Sequence, residues 1–177
     1  MKKKPIYLWI LLVLSALISA SSLFGSLGPV PSKEVLRASL SNSGSLTAQQ
    51  IEDTVNYTYQ VTAASHSIFN VVLIVLSAIL VVVAFVFLVR KNVQFANYAY
   101  LGYLLLAIVG LVYSFVNIQD AIQLIKDDTL GLGIGALAKG TVILFMIINV
   151  LFLALVFYKM WRQQKDLAEE AEAEEVA

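Results

Sequence analysis

The chain has 177 residues, 59% of them hydrophobic and 14% charged, with twelve Lys and Arg against twelve Asp and Glu; its mean hydropathy is +0.82. A soluble domain carries about 25% charged residues, and the deficit here is concentrated in long stretches with no charge, the pattern of a membrane chain. There is no cysteine, which excludes disulfide scaffolds, thiolate metal sites and thiol–disulfide chemistry.

A basic start, residues 1–5, with Lys2, Lys3 and Lys4, precedes an apolar run over 6–27, long enough for a first span at 1.5 Å rise per residue. The same start fits the leading region of a signal peptide, but the apolar run is longer than such peptides use, so a retained helix is expected. Gly28-Pro29-Val30-Pro31 ends it, because proline lacks an N–H and restricts its predecessor. Residues 28–66 read as a polar helical loop. Ser32 is placed to cap a short helix through Leu40, Asn42 to Ser45 reads as a turn, and Thr47 and Gln50 have capping-box spacing. Ile51, Val55, Tyr59 and Thr62 then recur at helical spacing, with Glu52, Asp53, Asn56 and Gln60 between them. No glycine or proline interrupts Thr47 to Val89, so this helix is expected to run straight into the second span, 67–89.

A basic turn, 90–94, leads into a third span over 95–117. Ile118, Ala121, Ile122 and Ile125 continue its helical spacing, which predicts two or three further turns into the next loop, 118–136. Gly131, Gly133 and Gly135 are expected to loosen that loop's end. The fourth span covers 137–158, and an acidic tail, 159–177, follows; its composition fits either a continued helix or a frayed one. The fold class is thus an all-α integral membrane protein, a four-helix transmembrane bundle. An external helical lobe comes from the first long loop and extensions of the second and third spans.

Eight of the twelve basic residues, Lys2, Lys3, Lys4, Arg90, Lys91, Lys159, Arg162 and Lys165, flank one set of span ends. The positive-inside rule puts that side, with both termini, in the cytoplasm. Trp9, Tyr158 and Trp161 fit an aromatic belt at the same interface. The compact loops and absence of cysteine point to a bacterial plasma membrane.

Helices in lipid pair through small residues and occasional hydrogen bonds. Ser15, Ser19 and Ser22 in the first span are therefore helix-packing candidates. So are Asn70 and Ser77 in the second, Gly102, Gly110 and Ser114 in the third, and Asn149 in the fourth. Asn149, at mid-span, is expected to make an interhelical hydrogen bond. Lys139 starts the last apolar run and reads as a snorkelling side chain at headgroup level; its functional alternative is a charge paired with Asp120, Asp127 or Asp128. The sole histidine, His66, at the outer mouth of the second span, reads as a solvated interfacial side chain. The glycine-rich segment before Lys139 fails the phosphate-loop pattern, because lysine does not directly follow the closing glycine.

No cluster of nucleophile, base or metal ligands is legible, and no motif for a cofactor or for nucleic acid. The expectation is a non-enzymatic accessory or scaffold subunit whose partners are the bilayer and another membrane protein, or a second copy of itself. The alternative is a small oligomeric transporter or channel; proton-coupled export needs a carboxylate inside the membrane, and none lies in the four spans. The orientation is tested by reporter fusions: after residue 92 or 165 the reporter should read cytoplasmic, and near Gly44 external. The reverse pattern would overturn it.

Overall fold

The computed structural model describes residues 5–42 and 46–175, with the backbone alone at 167 and 170–175. Lys2 to Lys4, Ser43 to Ser45 of the expected turn and the side chains of Glu170, Glu172, Glu174 and Glu175 lie outside the described residues. Six helices and no strand are present among those described: α1 Ile6–Leu27, α2 Lys33–Ser41, α3 Ala48–Ser65, α4 Ile68–Val89, α5 Val93–Ile122 and α6 Asp128–Glu175. Four of them, α1, α4, α5 and α6 over Asp128–Asp166, are long and apolar enough to cross a membrane.

Three features differ from the sequence expectation. First, α3 does not run into α4. The chain breaks at His66 and Ser67, and α3 packs mainly on α5, from Ser67, just past its end, at Tyr113 to Asp53 at the turn beyond α5. The break is made by polar side chains. Ser67 caps α4 by accepting from the Asn70 backbone N–H at 3.3 Å. The orphan carbonyls at the end of α3 are taken up in turn: Ser65 Oγ donates to Thr62 O at 2.7 Å and Asn70 Nδ2 to Ser65 O at 2.7 Å. A helix end whose polar groups are satisfied this way needs neither glycine nor proline. Second, α5 stops at Ile122, little more than a turn beyond Asn117, and Ile125 is buried from the following turn.

Third, the glycines at 131, 133 and 135 lie within α6, which continues unbroken through the tail to Glu175. Glycine costs up to about 1 kcal/mol relative to alanine at each interior helix position. Asp127 offsets part of this by capping α6, its Oδ1 accepting from the Leu130 N–H at 2.9 Å. Gly135 also has a packing role: a Cβ there would stand 3.0 Å from Ile122 Cδ1, so the start of α6 lies close against the end of α5.

Between α4 and α5 the chain reverses in three residues, Arg90 to Asn92. Lys91 takes a positive φ of 61°, the left-handed position usually given to glycine. The Asn92 N–H reaches Phe87 O at 2.9 Å and the Lys91 N–H reaches Leu88 O at 3.0 Å, the paired bonds of a Schellman ending. This short reversal makes α4 and α5 antiparallel neighbours.

The four long helices share a core at one end only. Leu8, Leu11 and Leu12 of α1, Val81, Ala84 and Leu88 of α4, Tyr100 and Leu104 of α5, and Val156 and Met160 of α6 pack into one buried cluster. Tyr100 and Tyr103 stack at 5.5 Å within it. Tyr7 Oη donates to Asn97 Oδ1 at 2.9 Å, and Lys159 Nζ sits 5.8 Å from the centre of the Tyr7 ring, joining α1 to both α5 and α6. Of the other three long helices, α1 packs chiefly on α4, and a cleft lies between α1 and α6.

α4 and α5 lie close together at Gly102, where an added Cβ would stand 3.2 Å from Leu80 Cδ1. Gly102→Ala should be near neutral, the helix-propensity gain offsetting a shift of the flexible Leu80 tip. Gly102→Leu should destabilise the fold by about 1–3 kcal/mol through overpacking. Reversible unfolding in mixed micelles measures both, and a neutral Gly102→Leu would show that the two helices are not held at this point.

Candidate functional site

Two constructions stand out, a carboxylate latch at the α3 end of the molecule and a cleft beneath it. The latch centres on Asp53. Its residue is only 2% exposed, though it lies under a thin layer of chain and not in the deep core. Oδ2 accepts from the backbone N–H groups of Lys126 at 2.9 Å and Asp127 at 3.2 Å, and Oδ1 accepts from Gln49 Nε2 at 2.7 Å. Asp127, whose Oδ1 caps α6, takes Gln50 Nε2 on Oδ2 at 3.0 Å. Gln50 in turn closes a capping box, its Oε1 accepting from the Thr47 N–H at 3.0 Å. The turn between α5 and α6 thus presents its unpaired amides to side chains of α3. Local burial raises the Asp53 pKa, but the Lys126 N–H, Gln49, the Asp127 N–H and the nearby Lys126 charge together outweigh it and hold the carboxyl below its ordinary value. The Leu130 N–H and Gln50 likewise hold Asp127 low.

α2 is fastened to α3 more loosely. Arg37 Nη2 pairs with Glu52 Oε2 at 2.6 Å, Lys33 Nζ donates to Asn56 Oδ1 at 2.7 Å, and the same ammonium sits 5.3 Å from the Tyr59 ring centre. These are exposed contacts; an ion pair of this kind contributes about 0–1 kcal/mol.

The cleft lies between α1 and α6, with α4 and α5 at its back. It has a volume of about 820 Å³. Eight of the nine helix-packing candidates line it: Ser15, Ser19, Ser22, Asn70, Ser77, Gly110, Ser114 and Asn149. The ninth, Gly102, lies at the α4–α5 contact instead. A Cβ at Gly110 or at Gly25, which also lines the cleft, would meet nothing within 4 Å. The interhelical bond expected of Asn149 is not formed; with the cleft on that side, its Nδ2 turns back to Phe145 O of its own helix at 2.8 Å. At the closed end, Ser15 Oγ and Tyr100 Oη share a hydrogen bond at 3.1 Å. At the mouth stand Thr62, Ser65 and His66 from the end of α3.

His66 is not the freely solvated side chain expected. Its Nδ1 lies 2.8 Å from Thr62 O; a carbonyl only accepts, so Nδ1 carries the proton, and Nε2 is left shielded with no partner among the described residues. Asn97 Nδ2, at the opposite end of the molecule, is likewise buried without one.

The candidate charges fall outside the cleft. Lys139, Asp127 and Asp128 border a separate groove of about 410 Å³ beside the first turns of α6, and Lys139 forms no ion pair among the described residues. Asp120 and Asp128 are exposed, so of the three acids only Asp127 has a defined structural role. Asp53 was not a sequence candidate. It sits in an ordinary polar stripe of α3, and nothing local marks it as the residue that meets the α5–α6 turn 73 residues away.

The arrangement defines an all-helical protein with four helices long and apolar enough to cross a membrane, a polar helical pair latched at one end, and a side cleft. Over residues 1–169 the chain matches the family described as Domain of unknown function (DUF8777), and it belongs to that family. Comparison with curated proteins and with solved structures finds no match.

Because their folded pKa values are lowered, Asp53 and Asp127 contribute stability that is fully present above the ordinary carboxylate value of about 3.9 and is lost as pH falls through the folded values. Asp53→Ala should speed amide exchange at Lys126 and Asp127 at neutral pH while leaving α4 unaffected. Acidification should loosen the same turn in the wild-type chain, with a smaller pH dependence left in the variant from Asp127. Unchanged exchange at those two amides would remove the latch.

Proposed function

We propose that this is a multi-pass protein of a bacterial plasma membrane, with α1, α4, α5 and α6 bundled across the bilayer and both ends in the cytoplasm. On this reading α2, α3 and the adjoining ends of α5 and α6 form the external lobe. The protein acts without catalysis, as an accessory or scaffold subunit of a larger membrane complex. The observation that supports this best is the latch. A buried carboxylate fastens the polar lobe to the start of α6, so the lobe is a fixed surface for a partner and not a loose loop. The same α6 continues unbroken to Glu175, and along it Lys165 and Glu169 pair across one turn at 3.6 Å. A lobe held in register with so long a helix suits a part that sets the position of something else.

A second reading, a small oligomeric transporter or channel, draws support from the hydroxyls along the cleft. Two copies placed cleft to cleft would enclose a path lined by Ser19, Ser22, Ser77 and Ser114.

Purification of the full chain from native membranes in mild detergent, with mass spectrometry of what accompanies it, separates the two. The accessory reading expects a larger membrane complex at fixed stoichiometry, lost on Asp53→Ala although the variant keeps its helicity and its level in the membrane. A clean homo-oligomer that carries solute flux in liposomes would overturn it and leave the transport reading.

A further inference from the structure

The hydroxyl-bearing faces of α1, α4 and α5 meet empty space where a membrane protein ordinarily has helix contacts, and α6 faces them with Phe145, Ile148, Asn149 and Phe152. Ser19 is the clearest case. It is 7% exposed, it lines the cleft, and its hydroxyl has no hydrogen-bond partner among the described residues. The hydroxyls of Ser22, Ser77 and Ser114 line the same space, also without partners among those residues. A hydroxyl that faces an apolar phase without a partner is unfavourable, and an occupant with polar groups would relieve it.

The length of the cleft decides what that occupant is. From Ser15, at the closed end, to Ser26, near the mouth, α1 rises about 17 Å at 1.5 Å per residue. The apolar core of a bilayer is about 30 Å thick, so the cleft serves one leaflet and stops at mid-depth against Ser15, Tyr100 and the core of Leu8, Leu12 and Val156. A partner's transmembrane helix must continue through both leaflets and would meet that plug. A lipid occupies one leaflet and ends where the cleft ends. The chemistry of the lining narrows the class: aliphatic and aromatic side chains alternate with hydroxyl and amide groups, and no lysine, arginine or carboxylate is among them. A lipid phosphate would find no cation there, whereas hydroxyl, ester or amide groups would find Ser19, Ser22, Ser77 and Ser114. A volume of about 820 Å³ falls within the roughly 300–1,000 Å³ typical of small-ligand sites.

We infer that the cleft between α1 and α6 is a binding site for one neutral lipid of the outer leaflet. Its hydrocarbon chain lies against Leu14, Ile18, Leu106 and Phe152, and its hydroxyl or ester end lies among the cleft serines below the Thr62–His66 mouth. The inference rests on the proposed membrane placement and not on the accessory role.

The test uses the full chain in phosphatidylcholine nanodiscs containing a diacylglycerol with a diazirine in its acyl chain. After illumination, labelled peptides are mapped on the wild-type protein, which needs no variant. Labelling is expected to concentrate on residues 14–26, 103–114 and 145–152. Ser19→Leu and Gly110→Leu, each filling the cleft from a different helix, should lower it to the level seen at lipid-facing Val82, while Val82→Leu changes nothing. Label spread evenly over the exposed Val82, Val116 and Leu155, outside those segments, or equal labelling by a diazirine phosphatidylcholine, would overturn the assignment. So would a co-purified protein cross-linked through the cleft. None of these outcomes depends on whether a partner complex is recovered, so failure here and failure of the accessory reading remain distinct.

Discussion

The carboxylate of Asp53 decides where α3 lies, and the rest of the upper half of the molecule follows from that position. A turn between two long helices exposes backbone N–H groups that must find acceptors. Here Asp53 takes two of them and Asp127 a third. With α3 fixed against the α5–α6 turn, it meets α4 at the satisfied break of Ser65 to Ser67. The end of α3 at that break places Thr62, Ser65 and His66 on the lining of the cleft.

The four apolar helices were legible because length and absence of charge are properties of single segments, read without knowing any neighbour. The caps at Ser32 and Thr47 were legible for the same reason: each is a local exchange between a side chain and an amide three residues on. The break before α4 was not, because the residues that satisfy it are serine, histidine and asparagine, which occur as freely inside polar helices as at their ends. The glycine run misled in the opposite direction. Three glycines in five residues suggest a loose entry, but an aspartate cap and the close seat of Gly135 on Ile122 keep the segment helical.

The cleft marks a different limit. A stripe of small residues suggests which way a helix face is turned, and small residues of α1, α4 and α5 do line one cleft, with Asn149 of α6 across from them. What they meet depends on the distance between helices, and sequence spacing carries no measure of that distance. Gly102 and Gly110, eight residues apart on α5, show the difference: one would crowd Leu80, the other faces nothing within 4 Å. Equivalent residues in sequence terms therefore stand at a contact and at a void.

The two proposals meet at the geometry of α1. Its first half is bound into the core through Leu8, Leu11 and Leu12; its second half has α4 on one side and the cleft on the other. On the proposed reading, a lipid in the cleft supplies the missing packing surface, because dispersion contacts are lost wherever a wall faces a void. It would hold α1 at a set distance from α6, the helix to which the lobe is latched. The neutral lipid and the lobe would then act on the same structural member from opposite sides. Binding in the cleft would be felt at the Asp53 latch through α6 and the Thr62–His66 mouth, without any change in the core around Tyr100. On the two proposals together, the protein would have a reason to leave its small-residue faces open: the contact they lack would come from the membrane and not from the chain.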